Sequence, residues 1–260
     1  MRRPTVRLLV SLLAFASAAG LPANARSDQS TRITFGDYEH VQVNVDSLGQ
    51  NVVGDAANEP TLVVDPTRPN RLVIGWRQFD DVTSKARQAG FSYSRNLGRD
   101  WSRVGYLDPG QRGSDPVLEA DADGRIYYQS LRFDVPPARE YTSLVFRSDD
   151  GGRLWDPPAY AYGGDKPWMA IDRTTGPGRN NVYLVWSPFF TDPMGDFFTR
   201  STDRGFSFDP PITMEARPTI ATVAVGPDGT VHLHVVGREG VQRVVPRDAG
   251  ALAGGGTVGE

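Results

Sequence analysis

Four charged residues stand immediately before prolines at near-constant intervals: Glu59-Pro60, Asp115-Pro116, Lys166-Pro167 and Arg217-Pro218. Two acids and two bases at equivalent places in a repeat can do one of two things. They can neutralise one another as ion pairs between repeats. Alternatively, Lys166 and Arg217 grip a ligand carboxylate while Glu59 or Asp115 handles hydroxyls or a proton, in contacts that burial strengthens. The short segment Arg77-Gln78-Phe79-Asp80-Asp81 adds a guanidinium and two carboxylates close by in sequence. Tyr127, Tyr128 and Tyr141 are available phenols, but tyrosines on strands are read first as packing residues. His232 and His234 share one strand face and could ligate a metal, yet the chain holds only 3 histidines and no nearby partner is evident. Asp121-Ala122-Asp123-Gly124 lacks the downstream Glu of a calcium loop and reads as a hairpin turn. No phosphate loop, dinucleotide fingerprint or nucleophile elbow is present, and neither a cofactor nor a metal is expected.

The elements that must position these side chains are legible from repetition. Ser94–Trp101, Ser148–Trp155 and Ser201–Phe208 each follow the pattern Ser-x-Asp/Asn-x-Gly-x-x-aromatic. Ser and Asp side chains can bond local backbone amides, glycine tolerates positive φ, and the aromatic residue can pack back on the sheet. Each box therefore reads as a structural hairpin, and Asp150 and Asp203 as fold staples. Every charged-residue–proline pair opens a strand, with the proline at the strand's first position. A turn follows, as at Asp123-Gly124 and Asp228-Gly229, and then an apolar strand: Leu72–Trp76, Ile126–Leu131, Val182–Trp186 and Val231–Val236. A third strand leads into each box and a fourth is expected beyond it.

A repeat of about 50 residues built from four antiparallel strands predicts an all-β protein whose units are β-propeller blades. The pattern supplies three full blades and part of a fourth, so the propeller reads as incomplete, a truncated or frame-shifted chain with an open end. The 28 glycines and 20 prolines among 260 residues exclude a helical bundle, since both are poor helix formers. Hydrophobic residues at 39 % suffice for a packed core. A net charge of −3 argues against nucleic-acid binding through bulk charge, and the absence of cysteine removes disulfides and thiolate chemistry.

Residues 1–25 read as a signal peptide. Arg2, Arg3 and Arg7 precede the apolar run Leu8–Ala19, and Ala23-Asn24-Ala25 offers a small-residue cleavage site. That run is too short to span a bilayer, so the expected product is exported, periplasmic or extracellular, with no membrane attachment after cleavage. Residues 26–57 form a leader in which His40–Val45 could supply a stray strand. The blades span 58–237, and 238–260 is an unpatterned Gly-rich tail.

The three boxes resemble the Asp-boxes, or bacterial neuraminidase repeats, of the sialidase superfamily, over roughly Asn58–Val236. The resemblance implies a propeller with its site on the axis and a glycan or acidic sugar as partner. It also implies chemistry by a Tyr nucleophile assisted by Glu, an Asp acid/base and three arginines on the substrate carboxylate. The loop after the second strand lies where the family carries its acid/base, which points to Asp80 or Asp81. The family's Arg-Ile-Pro is replaced by Arg32-Ile33-Thr34, and neither the nucleophile nor the arginine triad is assignable. Two classes follow: a sialidase-like glycoside hydrolase acting on acidic sugars, or a non-catalytic propeller binding protein or polysaccharide.

Overall fold

The computed structural model describes residues 31–85, 87–133, 141–188, 196–213, 219–237 and 240–244; the expected signal peptide, Arg217 and the Gly-rich stretch 245–260 lie outside them. Seventeen strands form five antiparallel sheets among the described residues. A hairpin of β1 (Arg32–Phe35) and β2 (Tyr38–Val41) stands apart at the N-terminus. Blade 1 comprises β3 (Ala56–Val64), β4 (Leu72–Phe79), β5 (Arg87–Ser94) and β6 (Gly105–Tyr106). Blade 2 comprises β7 (Gly113–Ala120), β8 (Ile126–Phe133), β9 (Tyr141–Ser148) and β10 (Ala159–Tyr160). Blade 3 comprises β11 (Asp165–Ile171), β12 (Val182–Ser187), β13 (Asp196–Ser201) and β14 (Ile212–Thr213). Blade 4 has three strands: β15 (Ile220–Val225), β16 (Val231–Gly237) and β17 (Gly240–Val244). The fold is thus the expected all-β array of three full blades and part of a fourth, and the sheets do not close into a ring.

Three details differ from the sequence reading. The stray strand is a hairpin of its own, with Val45 joined to Asn51 by an isolated bridge and its carbonyl accepting from the Val104 amide at 3.1 Å. The strand β17 lies in the stretch read as unpatterned tail and pairs with β16 through Val236↔Val241. Pro60, Pro116 and Pro167 are not first in their strands, and Pro218 lies outside the described residues. Each of the three sits inside a β-bulge, where the register skips between Asn58 and Thr61, Ser114 and Val117, and Asp165 and Trp168. A bulge leaves one residue unpaired, so a proline lacking its N–H is tolerated there.

Strand direction separates the molecule into two rims. The opening strands start at one rim, where the β4–β5 loop also lies, and the boxes close the β5–β6, β9–β10 and β13–β14 hairpins at the other. All three boxes share one hydrogen-bond pattern. The Ser hydroxyl bonds the Asn/Asp carboxamide or carboxylate (Ser94–Asn96 3.0 Å, Ser148–Asp150 3.0 Å, Ser201–Asp203 2.7 Å). It also accepts from the glycine amide (Gly98 2.9 Å, Gly152 2.9 Å, Gly205 2.7 Å). The acidic oxygen then accepts the next free amides, as Asp150 does from Arg153 and Leu154. Two successive residues in each box take positive φ: Leu97-Gly98, Gly151-Gly152 and Arg204-Gly205.

The second and third boxes pack on the blade before them. Trp155 sets its ring edge-on to Phe91 of blade 1 and Tyr128 of its own blade, 5.5 and 6.0 Å between centroids. It is half-buried, whereas Phe208 in the third box is buried. Arg95 of blade 1 donates to the Asp150 carbonyl at 3.1 Å, and Arg147 of blade 2 donates to the Gly205 carbonyl. Between blades 1 and 2 the core consists of Val63, Val73, Phe91, Leu118, Tyr128 and Phe146; a larger core runs through blades 2 to 4. The outer face of blade 1 leaves Leu62 and Val64 exposed, and that of blade 4 leaves Ile220 and Val236 exposed.

A Cβ at Gly152 would lie 2.5 Å from Val73 Cγ2, in the seam between blades, while one at Gly98 meets only ordinary contacts at 3.6 Å and beyond. Both glycines have positive φ, which costs an alanine roughly 1–2 kcal/mol. Gly98→Ala should therefore destabilise by about that amount, and Gly152→Ala by about 1–3 kcal/mol more through overpacking. Denaturant titration of both variants checks the order; equal losses would remove the seam from the explanation.

Candidate functional site at the loop rim

The three described pre-proline residues share one backbone state: Glu59, Asp115 and Lys166 have φ of 52°, 43° and 51°. Positive φ is uncommon for residues with a side chain and costs of order 1–3 kcal/mol each, so the surrounding fold must hold it in place. The following bulge re-aims each side chain out of the strand's alternation. Arg217 lies outside the described residues.

The result is one ionic group drawn from three blades. Arg77, at the end of β4, places Nε 3.2 Å from Glu59 Oε2 and donates to Asn58 Oδ1 at 2.8 Å. Its Nη1 lies 3.6 Å from Asp115 Oδ1 in blade 2 and donates to Ser114 Oγ at 3.4 Å. Lys166 of blade 3 donates to Asp115 Oδ2 at 2.9 Å and stands 4.0 Å from Glu59 Oε1. The Ser114 hydroxyl donates to Asp115 Oδ1 at 2.5 Å. Arg77 and Asp115 are largely buried, whereas the Lys166 side chain is 52 % exposed and available to a ligand.

This environment drives the two carboxyl groups apart. Burial, then the neighbouring Asp115 charge, raises the Glu59 pKa, against the opposing pull of Arg77 and Lys166. Burial also acts on Asp115, but hydrogen bonds from Ser114 and Lys166 and the lysine charge outweigh it and lower the pKa. Burial works against the Lys166 ammonium, and Asp115 and Glu59 more than offset it, so the lysine stays charged.

Asp80 and Asp81 lie on the exposed β4–β5 loop at this same rim. Asp81 Oδ1 accepts from the Thr83 amide at 2.7 Å and hydroxyl at 2.6 Å, which hold its pKa below the ordinary carboxylate value. Neither residue shares a hydrogen bond or ion pair with the Glu59–Arg77–Asp115–Lys166 group among the described residues. Tyr127 and Tyr128 are fully buried, and burial, for Tyr127 joined by Asp121, pushes both phenols upward. Tyr127 donates to Asp121 Oδ2 and Tyr128 to the Gly90 carbonyl, each at 3.1 Å, so both serve the blades. Tyr141 packs its ring 6.0 Å from Phe133. Asp121 closes the β7–β8 turn by accepting from the Asp123 and Arg125 amides. His232 and His234 lie on the outer face of β16, opposite Ala224 and Thr222. Sequence reasoning did not reach Asn58 and Ser114, whose only signal is adjacency to the pre-proline residues, or the half-exposed Trp168 two residues beyond Lys166.

No family model matches the chain, and no curated protein does. Solved structures do. A Hadza microbial sialidase superposes with a TM-score of 0.59 at 12 % identity, over 83 % of this chain and 48 % of that one. The alpha-L-arabinanase of Penicillium chrysogenum, complexed with arabinobiose, gives 0.54 at 13 % identity over 74 % and 63 %. The alpha-L-arabinofuranosidase of Fusarium graminearum gives 0.53 at 13 % identity over 80 % and 67 %. The chain has the sialidase-like propeller fold that these glycosidases share, and it spans about half the length of the matched sialidase.

The opposed carboxyl shifts give opposite pH behaviour. A raised folded-state pKa means that Glu59 contributes stability below its unfolded pKa and loses it as pH rises through the folded value. Asp115, with its pKa lowered, contributes above its unfolded pKa and loses it as pH falls through the folded value. Glu59→Gln should therefore leave the melting temperature unchanged or raised at neutral pH. Asp115→Asn should cost roughly 2–3 kcal/mol there, because it strips Lys166 and Arg77 of their shared partner. The Asp115→Asn deficit should shrink as the buffer is taken into the acid range, and melts across that range measure it.

Proposed function

We propose that this sialidase-like propeller is an exported glycan-recognition protein that takes an acidic sugar at the loop rim. The observation that carries the reading is the half-exposed Lys166 ammonium, fixed by Asp115 on one side beside the buried Arg77. An ammonium has three donors, and Asp115 occupies one, leaving donors for a sugar carboxylate. Glu59, with its raised pKa, suits hydrogen bonding to ring hydroxyls in either protonation state. Arg217, equivalent by repeat position, adds a second cation under this reading. The signal peptide expected in residues 1–25 would deliver the rim to a compartment where glycans are met.

Recognition is favoured over cleavage by the state of the phenols and carboxyls. The chemistry of the resemblance needs an accessible Tyr, whereas Tyr127 and Tyr128 are fully buried and bonded within the blades. Glu59 and Asp115 share the same two cations and bear directly on each other's protonation. Hydrolysis remains the second reading, favoured by the fold and by a loop that brings Asp80 or Asp81 to the same rim as acid/base.

Lys166→Ala should weaken sialic acid binding by about 1.5–3 kcal/mol, the worth of a charge-assisted hydrogen bond, and leave a neutral hexose unaffected. Calorimetric titration of wild type and variant with both sugars separates the cases. Equal losses, or no binding of either sugar, would sink the rim reading. Turnover of a fluorogenic sialoside that Asp80→Asn or Asp81→Asn abolishes would establish the second reading.

A further inference from the structure

A second set of cations lies on the same rim, away from the axial group, at the seam between blades 1 and 2. Arg87 begins β5, Arg112 immediately precedes β7, and Arg132 and Phe133 end β8. The Arg87 and Arg112 guanidinium carbons stand 4.7 and 5.7 Å from the centre of the Phe133 ring. Gly113 permits this convergence: a Cβ there would lie 2.7 Å from the Ala89 amide nitrogen, so only a glycine lets β7 pass so close to β5.

These arginines differ from the other arginines that are at least partly buried in the blade seams and turns. Arg125, Arg147, Arg173, Arg179 and Arg204 each face a carboxylate within ion-pair distance. At the seam only Arg132 does, 3.7 Å from Asp108, while its other amino group donates to Gln111 Oε1 at 2.7 Å. Arg87 and Arg112 have no ion-pair partner among the described residues, and the Arg87 Nε is buried without an acceptor. Two guanidiniums over one ring, a third on the residue beside it, and one paired carboxylate among the described residues leave local positive charge on a chain whose net charge is −3. An aromatic face tolerates cations by its quadrupole, but it does not satisfy a buried N–H; an arriving oxyanion would.

We infer that Arg87, Arg112 and Arg132 form an anion site around Phe133 that holds a charged substituent, carboxylate or sulfate ester, of a polysaccharide lying across the rim. Planar guanidinium forks match either group bidentately. The inference rests on the glycan reading above and extends it from a single sugar to a polyanionic chain.

The test uses the full chain at low ionic strength with three polymers: polygalacturonate, dextran sulfate and neutral dextran. Wild type should bind at least one polyanion and ignore dextran, and the two polyanion arms tell carboxylate from sulfate. The Arg87→Gln/Arg112→Gln double variant should lose about tenfold or more in affinity, as expected for charge-assisted contacts. Arg112→Gln alone, which removes no side-chain hydrogen bond among the described residues, should lose part of that and covers the case in which the double variant misfolds. Arg68→Gln/Arg103→Gln, both exposed and at the box rim (Arg68 in the β3–β4 turn, Arg103 between the first box and β6), removes the same charge and should change little. Equal losses in the two double variants, or equal binding of dextran and polyanion, would overturn the site. Sialic acid binding through Lys166 with no polyanion binding would overturn it too, while leaving the rim reading intact.

Discussion

A sheet with two apolar faces cannot be stable alone, and in this chain each blade buries its face against the next through the box at its base. The box apex takes two successive residues with positive φ, and in the second and third boxes its glycine sits where Val73 or Tyr127 of the preceding blade would crowd a Cβ. Local geometry and inter-blade packing are therefore satisfied by the same residue. The arginine grips on the Asp150 and Gly205 carbonyls act across the same seams, that of Arg95 exposed and that of Arg147 buried. Because this stapling is confined to one rim, the opposite rim carries charged side chains and loops free of that packing duty.

At the free rim the governing device is the bulge around each opening proline. It places Glu59, Asp115 and Lys166 in a backbone state that ordinary strands avoid, and it does so three times in the same register position. Strain of that kind persists only where the surroundings over-determine it. Here the surroundings are Arg77, Ser114 and the pre-proline residues themselves, which tie blades 1, 2 and 3 together by charge. Both meanings open to these residues meet in one structure: they are inter-blade ion pairs, and the half-exposed lysine among them still presents donors outward.

Blades and boxes were legible in the sequence because they are local. The pattern Ser-x-Asp/Asn-x-Gly closes its own hydrogen bonds within five residues, so three copies at constant spacing suffice to identify it. The second strands lie where their apolar runs placed them, each extended by one to three residues at the loop rim. The strand β17 escaped because its run, Gly240–Val244, alternates too briefly and pairs only across a tight hairpin. The bulges escaped because a proline is equally compatible with a strand's first position and with a skipped register, and only pairing to the neighbouring strand tells these apart.

The same division separates the candidate sites. Repetition alone marked Glu59, Asp115 and Lys166 as equivalent, since equal spacing in a periodic fold means equal height on the axis. Which of them pair, which one faces solvent, and which carboxyl holds its proton more tightly depended on burial and on Arg77 reaching across from blade 1 to blade 2. Arg87, Arg112 and Arg132 show no spacing that relates them, for they come from three different strands or their approaches; the close passage of β7 over β5 at Gly113 brings Arg87 and Arg112 to the Phe133 ring that Arg132 precedes. The sequence by itself determined the blade, its staple and the height of the charged residues, because those follow from local bonding and period. The tertiary structure alone decided charge pairing and the seam, because both depend on distances between blades that no single repeat encodes.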